Sequence, residues 1–164
     1  MAYAIKPRDT YKEQFKAPGF SSNYSKEEAF VTILTAAVHA DQQTRRVEEQ
    51  ELLALMGRTR TLNAINSAER RRLLEDATDA VRDAMRRQHA LENACAKLRE
   101  IDRGGSDNEG IKAAVYAHAC DIVHSDLEFH VKEDKFLKNL ARRLDLDASI
   151  ADRIEADIML KNLY

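Results

Sequence analysis

Two stretches of the chain resemble one another at an offset of 85 residues, and this internal repeat limits the possible folds more than any other feature. Ala37-Val38-His39-Ala40-Asp41 corresponds to Ile122-Val123-His124-Ser125-Asp126, and each is followed by a short polar link and a second amphipathic segment. Duplicated helical units bury their apolar faces most simply against each other, so the repeat predicts two helical hairpins packed with pseudo-twofold symmetry. The copies span about 26–62 and 111–146. In the second, Asp126 precedes Glu133 by seven residues and Phe136-Leu137 follow; in the first, Asp41 precedes Glu51 by ten and Leu52-Leu53 follow. Aligning them this way requires a three-residue insertion within Gln42 to Arg46.

The rest of the chain is consistent with an all-α fold of about seven helices. Gly, Pro and aromatic residues are sparse while Ala, Leu, Glu, Lys and Arg abound, and these side chains lose little rotamer freedom in a helix. Ser25-Lys26-Glu27-Glu28 has capping-box spacing, and Phe30, Ile33, Leu34, Ala37 and Val38 follow at helical period. Leu52, Leu55 and Met56 make the inner face of a second helix, with Gly57 as its stop or kink. Ser67 is expected to cap a third, whose buried stripe reads Leu74, Ala77, Val81 and Met85. The phase shifts near Gln88, where a break precedes Leu91, Ala94, Cys95, Leu98 and Ile101. Residues 104–110, GGSDNEG, read as a loop. Further helices carry Ile111, Val115, Ala119 and Ile122, then Phe136, Leu137, Leu140 and Leu144, then Ile150, Ile154 and Ile158. Residues 1–24 lack either periodicity and read as an arm whose Tyr11, Phe15 and Phe20 could dock on the body; 25–164 form one domain.

Several function classes are disfavoured. Lys and Arg number 26 against 28 acidic residues, so no global field draws the chain to nucleic acid or anionic lipid. The arginines Arg58, Arg60, Arg70, Arg71, Arg72, Arg82, Arg86 and Arg87 interleave with Glu69, Glu75, Asp76, Asp79 and Asp83, the pattern of a solvated, salt-bridged face. No apolar run approaches the roughly 20 residues that span a bilayer, and the N-terminus lacks a signal's apolar stretch, so a cytoplasmic protein is expected. Cys95 and Cys120 lie in apolar helical patterns without CxxC spacing and read as buried thiols. P-loop, HExxH, GxSxG and dinucleotide motifs are absent, as are inward Glu-x-x-His pairs for a metal-bridged enzyme.

The run His124-Ser125-Asp126-Leu127-Glu128-Phe129-His130-Val131-Lys132-Glu133-Asp134-Lys135-Phe136-Leu137 and its first copy, Ala40-Asp41 with Val47 and Glu51, resemble the tellurite-resistance TerB family over residues 26–160. In that family an alanine-rich helix ends in Ala-Asp-Gly, then an acidic or polar residue, an aliphatic residue, and a glutamate opening the next helix. This chain has Leu127 and Gln42 where the family has glycine. The resemblance implies a non-catalytic stress-response protein with an acidic surface implicated in divalent-cation binding, here calcium or magnesium held by Asp41, Glu51, Asp126 and Glu133, with Glu128 at the edge.

The residues themselves allow two readings. Asp41 and Asp126 end helices, where the negative dipole disfavours a carboxylate by roughly 0.3–1 kcal/mol, and a hard cation would offset this. Alternatively they accept from loop amides while Glu51 and Glu133 complement the positive ends of the next helices, leaving an adaptor that binds a protein through its acidic patch or arm. An EF-hand is excluded, since Val131 stands where its glycine is required and Leu137 where its bidentate glutamate is. His118 and His124 point about 120° apart on one helix, so a zinc ion does not readily meet both.

Overall fold

The computed structural model of the chain describes residues 24–40, 46–103, 110–124 and 131–163, without the side chains of 46–49, 51, 103, 131 and 132. It is all-α. Seven helices occur among the described residues: α1 (Lys26–Val38), α2 (Arg46–Arg58), α3 (Ser67–Val81), α4 (Ala84–Arg103), α5 (Ile111–Val123), α6 (Val131–Arg143) and α7 (Ala148–Leu163).

Helix α1 is the centre of the core because it has no polar face to leave in water. Every residue from Ala29 to Val38 is buried, and α2, α3, α4 and α5 surround it. Its two interior threonines are accommodated by bonding one turn back: Thr32 Oγ1 donates to the Glu28 carbonyl and Thr35 Oγ1 to that of Val31, both at 2.7 Å. The capping box forms as expected, with Glu28 N donating to Ser25 Oγ at 3.0 Å and Ser25 N to Glu28 Oε1 at 3.4 Å. Helix α5 repeats the role, packing on α1, α4, α6 and α7, while the long α4 lies against α1, α3, α5 and α6. Among the described residues no helix is long and apolar enough to cross a membrane.

The helix ends correct several sequence expectations. The cap of α3 is Asn66, whose side chain accepts from Glu69 N at 2.8 Å; Ser67 is the first helical residue. Helix α2 ends at Arg58, one residue beyond Gly57, close to the stop expected there. The break expected near Gln88 falls at Arg82 and Asp83, so Gln88 lies inside α4. Restarting there rotates Met85 out of the stripe that holds Val81, and Met85 is 72% exposed. On α7 the buried residue is Ala151; Ile150 is exposed, and Ile154 and Ile158 are only partly covered, because α7 packs chiefly on α5.

Two turns show why particular residues stand where they do. After α6, Asp145 takes the left-handed conformation (φ 54°), Asp145 N donates to Arg142 O and Leu146 N to Ala141 O, both at 3.0 Å. That is a Schellman closure, which tolerates Asp where glycine is commoner. Before α5, Gly110 at φ 86° supplies the N-cap without a Cβ penalty and donates its N–H to Asp102 Oδ1 at 2.9 Å. The remainder of the GGSDNEG segment, 104–109, and the arm 1–23 lie outside the described residues.

Candidate site at the interhelical links

The helix boundaries of the two similar segments agree more closely than their sequences suggest. Helices α5 and α6 begin and end 85 residues after α1 and α2 at all four termini, and each of the four is 13 residues long. The links 39–45 and 124–130 are therefore equal in length, and the three-residue insertion is not needed. At this offset buried Leu52 and Leu55 coincide with buried Leu137 and Leu140. The counterpart of Glu133 becomes Glu48, on the first turn of α2, and Glu51 corresponds to Phe136. In the sequence Glu51 stands directly before an apolar pair, whereas the helix boundaries align Glu48 with Glu133.

Both links open on a histidine. His39 and His124 are the C-caps of α1 and α5, and their backbone N–H groups donate to the carbonyls of Thr35 at 3.2 Å and Cys120 at 2.9 Å. Beyond them the environments differ. The His39 ring turns back on its own helix, with Nδ1 2.8 Å from Thr35 O. The His124 ring is 7% exposed, lies with Nε2 3.5 Å from Glu155 Oε2, and its carbonyl accepts from Asn162 Nδ2 at 3.2 Å, so α7 is tied over the end of α5. His118 instead packs edge-on to Phe30, with ring centroids 5.9 Å apart. Burial lowers its pKa, opposed by Asp121 and assisted by Arg58 and Lys161.

Of the five carboxylates singled out from sequence, Asp41, Asp126 and Glu128 lie outside the described residues, as does the side chain of Glu51. Glu133 sits in the first turn of α6 and is 4% exposed, buried beside the positive end of that helix. Among the described residues no group of three or more His, Cys, Asp or Glu is placed to hold a metal ion. The thiols are unsuited to nucleophilic work: both are buried, and burial pushes Cys95 and Cys120 up to about 12. For Cys95 the nearby Glu92 adds to the effect of burial, while for Cys120 the Tyr116 hydroxyl partly opposes it.

One polar cluster has no signature in the sequence. Glu92 on α4 places one carboxylate oxygen 3.4 Å from Arg99 Nη2 and the other 3.1 Å from Arg143 Nη1. Arg99 also donates to the Arg143 carbonyl at the end of α6, and Arg143 donates to the Gln88 side chain. A cation at a helix C-terminus satisfies an orphan carbonyl and complements the dipole. Its members are 44 and 51 residues apart in sequence, and no local periodicity brings such residues together. No family model, no curated protein and no solved structure matches the chain.

Proposed function

We propose that the chain is a non-catalytic, cytoplasmic, TerB-like helical module whose acidic interhelical links hold a divalent cation, calcium or magnesium, in a metal or oxyanion stress response. The observation that carries this reading is the common register of the two helix pairs. With links of equal length, Asp41 precedes Glu48 by the same seven residues that separate Asp126 from Glu133. A carboxylate two residues beyond a helix C-cap, followed by another on the next helix's first turn, is a pair of hard oxygen donors of the kind these cations take. Glu48 replaces Glu51 as the first copy's contributor, and Glu128 stays at the edge of the second. Calorimetric titration of metal-free protein with calcium and magnesium, repeated on Asp126→Asn and Glu133→Gln, tests the reading. Saturable binding lost in both variants supports it; absence of binding with lowered melting temperature in the variants makes these carboxylates helix caps.

A second reading, an ion-independent adaptor, is favoured by the outer face of α7. Met159, Leu160 and Leu163 are exposed, the last two 58% and 65%. With partly buried Ile154 and Ile158 on the inner side, the C-terminal half of α7 is apolar on two faces, as in helices covered on both. Retained partner capture by protein carrying Asp126→Asn and Glu133→Gln, together with loss of capture in Leu160→Ser, would favour the adaptor.

A further inference from the structure

Helices α4 and α6 face each other across a groove whose two walls are continuous stripes. On α6 the stripe is Lys135, Phe136, Asn139, Leu140 and Arg143; on α4 it is Arg87, Gln88 and Leu91. Residues spaced by three and four lie on one side of a helix, so each set presents a single surface. The cavity between them is about 200 Å³, and Ala40 also lines it. Its floor is apolar, since Leu91 and Leu140 are buried and Phe136 is partly so.

The charges around this floor are unbalanced. Among the described residues three cations line the groove and no carboxylate does. Arg143 is neutralised from behind by Glu92. Arg87 uses only Nε, donating to the Val81 carbonyl at 2.8 Å, and neither its terminal nitrogens nor the Lys135 ammonium meets a partner among the described residues. A neighbouring groove makes the contrast. It too has apolar members, Leu53 and Leu74, but its Arg71 and Arg82 are matched by Glu75 and Asp79. The first repeat does not reproduce the cationic stripe either: 85 residues earlier, Lys135 and Phe136 become Gln50 and Glu51. In a chain with more acids than bases, Arg87 of α4 and Lys135 of α6 stand over an apolar floor with no anionic partner among the described residues.

We propose that the groove between α4 and α6 binds a small organic carboxylate with an apolar body. The carboxylate would lie between Arg87 and Lys135, and the body against Phe136, Leu91 and Leu140. A cavity of this size is below the about 300–1,000 Å³ of drug-sized sites, which limits the ligand to about the bulk of one aromatic side chain. Guanidinium and ammonium groups supply charge-assisted hydrogen bonds to the anion, and the floor rewards the apolar part. Among the residues lining this groove none is an acidic link position of the proposed cation site.

The test is an amide NMR titration with 3-phenylpropionate, alongside its neutral amide and propionate. The acid is expected to bind saturably, with shifts concentrated at 87–91 and 135–143. The amide and propionate should each bind at least fivefold more weakly, since one lacks the charge and the other the body. Lys135→Gln, at an exposed position, should weaken the acid at least fivefold at unchanged melting temperature; Arg87→Gln should weaken it as much, with a lowered melting temperature from loss of the bond to the Val81 carbonyl. Equal binding of acid and amide, unchanged affinity in Lys135→Gln, or absence of saturable shifts would each overturn the assignment.

Discussion

His39 and His124, 85 residues apart, cap equivalent helices in almost the same backbone conformation, φ −92° and ψ 6° against φ −95° and ψ 13°. Their rings have different work. That of His39 bonds within its own helix, whereas His124 is buried beneath α7 and contacts Glu155, while its carbonyl receives Asn162. His124→Ala is therefore expected to cost about 2 kcal/mol through lost packing and hydrogen bonding, and His39→Ala less than about 1 kcal/mol. Denaturant unfolding of the two variants checks the order.

Glu92 holds two arginines in a partly buried setting. Removing its charge leaves both cations without their shared acceptor, so Glu92→Gln should destabilise by about 1–3 kcal/mol. A double-mutant cycle with Arg143→Gln should give a coupling energy well above the few tenths typical of exposed pairs such as Arg82–Asp79.

Cys95 and Cys120 are buried with thiols held near 12, far above ordinary working pH. Both should resist a disulfide reagent at pH 8 in the folded protein and react promptly in denaturant. Fast labelling of either in native protein would contradict their packing.

His118 provides the pH dependence. Its folded pKa lies below the ordinary 6.5 because burial penalises the imidazolium. The unfolded chain thus binds the proton more readily, and stability contributed by neutral His118 is complete above pH 6.5. It declines as pH falls through 6.5 and levels off below the lowered folded value. Stability measured between pH 5 and 7.5 should show a positive slope attributable to this residue, diminished in His118→Gln.

What was legible in the sequence followed from local physics. Helix periodicity located all seven helices, and Ser25 with Glu28 formed the expected box because capping depends on four adjacent residues. Neither glycine nor proline marks the break at Arg82–Asp83, so periodicity alone keeps Met85, six residues before Leu91, in a stripe from which the restart turns it outward. The cap of α3 was misread by one position because Asn66 and Ser67 are both good caps, and only Asn66 has Glu69 at N3. For the proposed site, the spacing from Asp126 singles out Glu133, and the apolar pair after Glu51 draws attention to it, whereas the helix boundaries align Glu48 with Glu133. The Glu92 cluster and the cationic groove depend on α4 meeting α6, which no spacing within either segment encodes.

The most direct test of the cation account is amide NMR of the labelled, metal-free protein titrated with calcium and magnesium, with Glu48→Gln, Glu51→Gln and Glu133→Gln in parallel. The account predicts saturable shifts at 39–48 and 124–133, removed in the first copy by Glu48→Gln but not by Glu51→Gln, and in the second by Glu133→Gln. Amides that do not respond to either cation, or responses that survive Glu48→Gln and Glu133→Gln, would contradict it.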